Sequence, residues 1–275
     1  MTPLFLLGGH DLEMLTIREL LQAYAPDCFI DKGLSWGASA SDYRVEITDA
    51  LQEGKTPVLV ELTDDMGIEH HPHPDPLPQG EGGVIQIDHH GPLAGAGRPT
   101  ALHQVFKLLG LPPEAWTRRM ELVAANDRGH IKGMLEVGAT MDEIVAIRTA
   151  DRTAQGITPE QEQQAEQAIR SLEQLCEGRL TVVRLPHSRT AAVADRLAPE
   201  LGGIGYENLL VISPQEVNFF GKGAVVVALD NEFAGGWYGG SLPEYGFWGA
   251  PMADAHAVLT FLQELLHGKL YYTSV

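Results

Sequence analysis

Short apolar segments that alternate with helical patterns are the feature that restricts the fold of this sequence most strongly. Four such segments in the first half are typical of buried strands, at residues 4–7, 28–30, 57–62 and 84–87. Patterns with helical spacing lie between or after them, notably at 41–51, 100–109 and 113–125. Strands that alternate with helices form parallel sheets through βαβ units. The sequence therefore predicts an α/β fold with a parallel sheet in a first domain, residues 1–155.

A second, smaller α/β domain is predicted after a linker helix. Thr158, Pro159 and Gln161 form a capping-box pattern that opens a helix within residues 156–178, the predicted linker. Strand patterns then occur at 180–185, 208–213 and 223–230, with helical patterns at 188–201 and 253–266. The alternation therefore restarts, and we assign residues 179–275 to the second domain.

One segment interrupts the alternation. Residues 70–83, HHPHPDPLPQGEGG, contain four prolines and three glycines together with three histidines. Prolines at this density exclude a helix or a central strand, so the segment is interpreted as an exposed loop insertion. Metal binding by its histidines is the alternative.

Acidic and histidine side chains follow the predicted strands of the first domain. Asp11 and Glu13 follow the first strand, Glu61 ends the third, and His89 follows the fourth. The carboxyl ends of parallel strands meet at one edge of the sheet, where α/β proteins bind ligands. Carboxylates and imidazoles without a thiolate favour Mn²⁺, Mg²⁺ or Fe²⁺. The sequence therefore predicts a divalent-metal site that can bind a phosphate and activate water.

The segment VIQIDHHGPL, in which an apolar strand runs into Asp88, His89 and His90, resembles the signature of the DHH phosphoesterase superfamily. That family contains oligoribonucleotide-degrading nanoRNases, cyclic-dinucleotide phosphodiesterases, single-strand exonucleases and family II inorganic pyrophosphatases. The resemblance implies a parallel-sheet domain with helices on both faces, a linker helix and a smaller α/β C-terminal domain. It covers nearly the whole chain.

The resemblance also implies roles for individual residues. His90 would contact the scissile phosphate, and Asp88 would hold His89 in place. The metal ligands would be drawn from seven residues: His10, Asp11, Glu13, Glu61, Asp64, His89 and Asp127.

The first two motifs depart from the family pattern. Glu13 and Glu61 stand where the family usually has Asp, and His10 directly precedes Asp11. A changed metal preference, a single-metal site and a degenerate enzyme are all open at this point.

Substrate-binding residues are expected in the second domain. Arg189, before a predicted helix, would meet a phosphate or carboxylate of the substrate. Gly239 and Gly240 would let the backbone approach a phosphate while neighbouring aromatic rings stack on a base. In the DHH family a His usually follows the glycines of this loop, and it is absent here. The alternative to substrate binding is that these glycines and aromatic residues form a turn packed in the core. His103 and His130 are interpreted as surface or packing residues.

The charge of the chain restricts its partners. There are 37 acidic and 19 basic residues, a formal net charge of −18, which disfavours long duplex nucleic acids. No apolar run is long enough to span a membrane, and two cysteines without a CxxC motif suggest a reducing, cytoplasmic compartment. A homodimer is left open.

These observations predict a metal-dependent phosphoesterase, with Mn²⁺ as the expected cofactor and Mg²⁺ or another divalent ion as the alternative. Its substrate would be a small phosphorylated molecule, a short oligonucleotide or a dinucleotide. A catalytically weak nucleotide-binding or regulatory protein is the second interpretation. An inorganic pyrophosphatase is less favoured, because the second half has few clustered Lys or Arg residues.

Overall fold

The computed structural model describes residues 2–35, 37–68, 70–71, 83–89, 99–251 and 254–268. The chain divides into two units. The first contains residues 1–143 and 149–155, and the second contains residues 144–148 and 156–275. A single helix, α5 (Met141–Ala154), therefore contributes residues to both units.

The first unit is built on a five-stranded sheet in which all neighbouring strands are parallel. The strand order is β2-β1-β3-β5-β4. This confirms the predicted α/β fold with a parallel sheet. The strands are β1 (Pro3–Leu7), β2 (Phe29–Asp31), β3 (Thr56–Val60), β4 (His70–His71) and β5 (Val84–Ile87). The remaining helices of this unit are α1 (Leu12–Tyr24), α2 (Arg44–Gln52), α3 (Ala101–Leu108) and α4 (Arg118–Glu136).

The register of the three central strands brings their carboxyl ends to one level. Leu7 of β1 pairs with Val60 of β3, and Val60 pairs with Ile87 of β5. The Gly8 amide donates to the Val60 carbonyl, and the Glu61 amide donates to the Ile87 carbonyl, each at 2.8 Å. The residues that follow these strands therefore lie side by side at one edge of the sheet.

Helix α1 begins directly at that edge. Asp11 is its N-cap and accepts a hydrogen bond from the Met14 amide at 2.8 Å, which satisfies one of the free amides of the first turn. Ile17, Leu20 and Leu21 lie on one face and are almost fully buried. The cap fixes where the helix starts, and the apolar face fixes which side packs inward.

The second unit contains a six-stranded sheet in the order β10-β11-β9-β8-β7-β6. Strands β7 and β8 are parallel, and the other neighbours are antiparallel. Its strands are β6 (Glu173–Leu175), β7 (Leu180–Arg184), β8 (Leu209–Ile212), β9 (Glu216–Lys222), β10 (Trp237–Ser241) and β11 (Tyr245–Pro251). Its helices are α6 (Pro159–Arg170), α7 (Ala191–Leu197), α8 (Gly223–Glu232) and α9 (Ala255–Leu266).

The predicted linker, residues 156–178, contains helix α6, but the helix ends at Arg170 and residues 173–175 form strand β6, which pairs with β7. Thr158 accepts from the Gln161 amide and the Gln161 side chain bonds back, which confirms the capping box. Ala165 and Ala168 of α6 are buried in an apolar cluster with residues of β7, β8 and α7. The helix is thus packed as part of the second unit.

One of the predicted strands is a helix in the structure. Residues 223–230, expected to form a strand because of their valines, belong to helix α8. Val226 and Leu229 are fully buried in a cluster that contains Trp248 and Phe261. Burial on this scale outweighs the modest helix preference lost by β-branched residues. A short apolar run does not distinguish a buried strand from a buried helix.

Within the described part of the chain, no helix combines the length and apolar character needed to cross a membrane. Of the Pro-rich insertion, His70 and His71 form β4. Residues 72–82 lie outside the described residues.

Candidate metal centre

Four ionisable side chains from separate elements meet at the carboxyl edge of the first sheet. Glu13 lies in the first turn of α1, Glu61 directly follows β3, His89 follows β5, and Asp127 lies in α4. One ligand atom from each lies within 4.8 Å of all the others. His89 Nε2 is 2.6 Å from Asp127 Oδ2, 3.4 Å from Glu61 Oε1 and 3.6 Å from Glu13 Oε2. This spacing is compact enough for the four atoms to surround one ion.

The four side chains are shielded from solvent. Their exposed fractions are 1% for Glu13, 5% for Glu61, 8% for His89 and 13% for Asp127. Buried carboxylates are costly unless a positive charge or hydrogen-bond donors compensate them. Three of them around one imidazole therefore form a site that requires positive charge.

The position of Glu61 depends on an unusual backbone conformation. Its φ is +51°, a region that residues with a side chain seldom adopt. Gly8 packs against the same peptide, because a Cβ atom on Gly8 would lie 2.2 Å from the Glu61 carbonyl oxygen. The close approach of the chain after β1 and β3 thus requires glycine at position 8.

Glu13 is held by the start of α3. The Leu102 amide donates to Glu13 Oε1 at 3.0 Å. The other oxygen, Oε2, is buried and has no hydrogen-bond partner among the residues that the structure describes. One oxygen is therefore fixed by the protein, and the other faces His89.

Asp127 lies just before a break in α4. Gly129 (φ −153°, ψ 21°) and His130 (φ 51°, ψ −140°) depart from helical geometry. Beyond the break, Gly133 packs against Ala125, where a Cβ atom would come within 2.3 Å of the carbonyl oxygen. Strained backbone is common at functional sites. Glu61, which has a positive φ, belongs to the cluster, and His130, which also has one, follows Asp127 by three positions in the chain.

The charges of the cluster shift one another's pKa values. Burial, reinforced by the negative charge of Glu13, raises the pKa of Asp127 to about 7. Burial, together with Glu61 and Asp127, raises the pKa of Asp11 well above its usual range. Burial alone would lower the pKa of His89, but the surrounding carboxylates outweigh it and raise that pKa. Each shift favours added positive charge, as a proton or as a cation.

The donor set fits a divalent ion. Three carboxylates and one imidazole, without a thiolate, suit Mn²⁺ or Mg²⁺. A cation among the four residues would also satisfy the buried Oε2 atom of Glu13. The geometry and the chemistry of the site therefore agree.

Three residues that were predicted as metal ligands, His10, Asp11 and Asp64, are not part of the four-residue cluster. His10 is exposed, and Asp11 uses its carboxylate to cap α1. Asp64 accepts from the amides of Met66 at 2.9 Å and Ile68 at 3.1 Å, which orders the loop after β3. None of these three is among the four residues that meet.

Of the two predicted catalytic residues, Asp88 and His90, the structure describes only Asp88. His90 lies outside the described residues. Asp88 directly precedes His89, and its carbonyl oxygen is 3.5 Å from Gln104 Nε2. The roles proposed for both stay predictions.

The substrate-binding residues predicted in the second unit are described individually. Arg189 is exposed in the turn before α7. Gly239 and Gly240 lie in β10, and a Cβ on Gly239 would be 2.7 Å from the Phe247 ring. Gly239 thus makes room for an aromatic ring across the hairpin, which favours the packing alternative. Substrate binding by these residues stays a prediction.

Sequence reasoning did not identify the first turn of α3 as part of the site. Thr100, the N-cap residue of α3, is fully buried, and Leu102 supplies an amide to Glu13. A threonine before a helix is the only signal in the sequence, and it is equally typical of an ordinary cap.

No protein-family model matches the sequence, and no curated protein matches it. Several solved structures are similar in fold. A manganese-bound exonuclease RecJ has 13% identity, covers 96% of this chain and 90% of its own, and gives a TM-score of 0.46. The Mn²⁺ complex of RecJ from Thermus thermophilus has 14% identity over 98% of this chain and 53% of its own, with a TM-score of 0.49.

An exopolyphosphatase-related protein from Bacteroides fragilis has 12% identity, covers 96% of this chain and 92% of its own, and gives a TM-score of 0.47. Because all three TM-scores are below 0.5, no residue role or activity is carried over from these proteins. The chain itself has an α/β fold with a compact, buried candidate metal centre at the carboxyl edge of its parallel sheet.

Proposed function

We propose that this chain is a divalent-metal-dependent phosphoesterase that hydrolyses a phosphodiester in a small nucleotide-type substrate, a short oligonucleotide or a dinucleotide. The observation that carries the proposal is the buried cluster of Glu13, Glu61, His89 and Asp127. Mn²⁺ is the expected ion, with Mg²⁺ as the alternative.

The four residues would hold the ion, and each of them is positioned by a different part of the first unit. A divalent ion bound there supplies a Lewis acid for a phosphoryl oxygen and lowers the pKa of a water molecule. Arg128 follows Asp127 directly and is exposed, so its guanidinium can pair with a substrate phosphate.

The overall charge supports a small substrate. At a net charge of −18, the chain repels long polyanions, whereas a short phosphorylated molecule interacts mainly with its local site. The substrate class rests on this argument and on the DHH-like motif at Asp88 and His89.

The test is a metal titration followed by an activity assay. After chelator treatment, calorimetry should detect Mn²⁺ binding, and added Mn²⁺ should support hydrolysis of a dinucleotide. His89→Ala should remove both, because it deletes the one ligand that contacts all three carboxylates. Asp64→Asn is the matched control, since its carboxylate bonds backbone amides and should leave both signals intact.

Each alternative has a distinct result. Unchanged hydrolysis by a folded His89→Ala protein would contradict the proposed mechanism. Tight nucleotide binding without turnover under any divalent ion would instead support a binding or regulatory protein. Hydrolysis of inorganic pyrophosphate in preference to phosphodiesters would support a pyrophosphatase.

A further inference from the structure

The first turn of α3 contacts two parts of the metal centre. Its Leu102 amide donates to Glu13 Oε1 at 3.0 Å. Gln104 donates from Nε2 to the Pro99 carbonyl at 2.9 Å and lies 3.5 Å from the carbonyl of Asp88, the residue before His89. This turn therefore lies between the elements that carry two of the four candidate ligands.

A chain of polar contacts continues outward from Glu13. Burial opposes ionisation of Glu13, but hydrogen bonding to His89 and to the Thr100 side chain lowers the pKa of Glu13, which places the Thr100 hydroxyl group beside this carboxylate. Thr100 Oγ1 is also 3.1 Å from His103 Nδ1. Thr100 is fully buried, so water does not compete for its hydroxyl group.

The direction of these hydrogen bonds follows from the number of protons. A carboxylate accepts hydrogen bonds only, so Thr100 must donate its single hydroxyl proton to Glu13. The hydroxyl oxygen can then only accept from His103. His103 must therefore carry its proton on Nδ1.

The surroundings of His103 hold its ring in place for this role. The ring stacks on Trp116, with centroids 4.3 Å apart and an angle of 27° between the planes. Burial lowers the pKa of His103, which favours the neutral ring with one proton. The stack fixes the plane of the ring, and the contact with Thr100 selects which nitrogen is protonated.

We propose that Thr100 and His103 are positioning residues for Glu13, with His103 donating from Nδ1 to Thr100 and Thr100 donating to the carboxylate. This relay would fix one side of Glu13 and leave its buried Oε2 atom directed at the ion. The inference deepens the proposed function and rests on it. Residues that orient metal ligands in this way commonly contribute about 10- to 100-fold to metal affinity.

The first test reads the tautomer directly and needs no metal. Histidine-selective ¹⁵N NMR of the wild-type chain, with the His103 signal assigned from His103→Asn, should show the Nδ1–H tautomer. Thr100→Val removes the hydroxyl at nearly constant size and should abolish this preference. Thr100→Ser keeps the hydroxyl and should retain it.

The second test measures Mn²⁺ affinity by calorimetry. Thr100→Val should weaken binding about 10- to 100-fold, and Thr100→Ser should stay close to wild type. Thr140→Val is the matched control, because it removes a capping hydroxyl at α5 and should lower stability without changing Mn²⁺ affinity. His103→Leu and His103→Asn form a second pair, in which only Asn keeps a donor near the Nδ1 position.

The outcomes separate this inference from the proposed function. Wild-type chain that binds no Mn²⁺ would refute the metal centre, while the tautomer would still be measurable. Normal Mn²⁺ binding by Thr100→Val, or an Nε2–H tautomer of wild-type His103, would overturn the relay alone. If Thr100→Val does not fold, equal affinities of His103→Leu and His103→Asn would overturn it.

Discussion

Glu61 and Gly8 depend on each other at the edge of the first sheet. Glu61 has a positive φ, and the carbonyl of that peptide occupies the space where a Cβ atom of residue 8 would lie. The side chain of Glu61 is aimed at His89 from this backbone conformation. Gly8 therefore affects the metal centre without contributing a ligand.

We expect Gly8→Ala to lower both the stability and the Mn²⁺ affinity of the protein. The added methyl group must displace the Glu61 peptide, and overpacking of this kind typically costs about 1–3 kcal/mol. Urea unfolding and calorimetry measure the two effects.

Gly54→Ala is the control for Gly8→Ala. Gly54 has a φ of +71° with open space around it, so alanine there strains the backbone away from the cluster. It should lower stability and leave Mn²⁺ affinity unchanged. Equal affinities of the two variants would show that Gly8 has no part in placing Glu61.

The candidate ligands could be predicted at the residue scale only up to a point. The four residues that meet were all among those predicted. Glu13, Glu61 and His89 were predicted because parallel strand ends share an edge, whereas Asp127, which lies in α4, was predicted only from the family resemblance. Asp64 follows the same strand as Glu61, yet it bonds the amides of its own loop, as Asp residues often do in turns. Spacing in the sequence shows which edge a residue reaches but not where its side chain points.

At the element scale, Arg118 joins the start of α4 to the start of α5. It bonds Glu143 at 3.0 Å, Glu121 at 2.7 Å and the carbonyls of Val137 and Gly138. The Arg118 guanidinium and the Thr140 amide lower the pKa of Glu143 to about 2. One exposed arginine thus connects both helices and the turn between them.

We expect the stabilising contribution of Glu143 to depend on pH. Because the folded-state pKa is lowered to about 2 from an ordinary value of 4.5, the contribution is fully present above pH 4.5. It is lost as the pH falls from there through about 2. The urea midpoint of Glu143→Gln should therefore lie below that of wild type at pH 6, and the difference should shrink towards pH 2.

Salt provides the check on the Glu143 prediction. The pair is exposed, so 1 M NaCl should reduce the difference at pH 6. A difference that is independent of both pH and salt would contradict this account, because the ion pair with Arg118 and the hydrogen bond from the Thr140 amide both depend on the charge of the Glu143 carboxylate.

Helices α5 and α7 are connected by a buried ion pair. Arg148 and Asp195 have side-chain exposures of 0% and 4%, and Arg148 Nε and Nη2 each lie 2.9 Å from Asp195 Oδ1. Removing one member of such a pair leaves a buried charge without its partner.

We expect Asp195→Leu to destabilise the protein by about 3–5 kcal/mol. The double variant with Arg148→Met should regain much of the loss, since neither charge then remains buried. The exposed pair of Arg184 and Glu173 is the comparison, and Glu173→Gln should cost less than about 1 kcal/mol. Equal unfolding free energies for the single and double Asp195 variants would contradict this account.

Elements were predictable where local pattern and burial agree. The four predicted strands of the first half correspond to β1, β2, β3 and β5. Short apolar runs bounded by turn residues usually form strands, so the sequence pattern was sufficient to identify them. Strands β10 and β11 were missed, since glycines alternate there with large aromatics whose rings fill the space left by the glycines. That complementarity exists only between strands, so a single segment does not reveal it.

At the scale of the whole molecule, Mn²⁺ should raise the melting temperature. A ligand that binds only the folded state stabilises it by about 2.7 kcal/mol at 100 times its Kd. We expect a rise of several degrees that EDTA reverses, and no rise in His89→Ala. The four ligand atoms lie within 4.8 Å of one another, so calorimetry should give one high-affinity ion per chain.

A second ion of equal affinity would contradict this single-ion stoichiometry. It would require ligands beyond the four residues of the cluster. Asp11→Asn would then be informative, because Asp11 caps α1 and its pKa already responds to Glu61 and Asp127.

The sharing of α5 between the two units has a consequence for any attempt to take the protein apart. Residues 144–148 belong to the second unit, although the helix continues to Ala154 within the first. A fragment that ends at Gln155 keeps Arg148 but loses Asp195, and a fragment that begins at Gly156 keeps Asp195 without Arg148. A cut at 155/156 therefore separates Arg148 from Asp195, although both belong to the second unit, so neither fragment contains that unit complete.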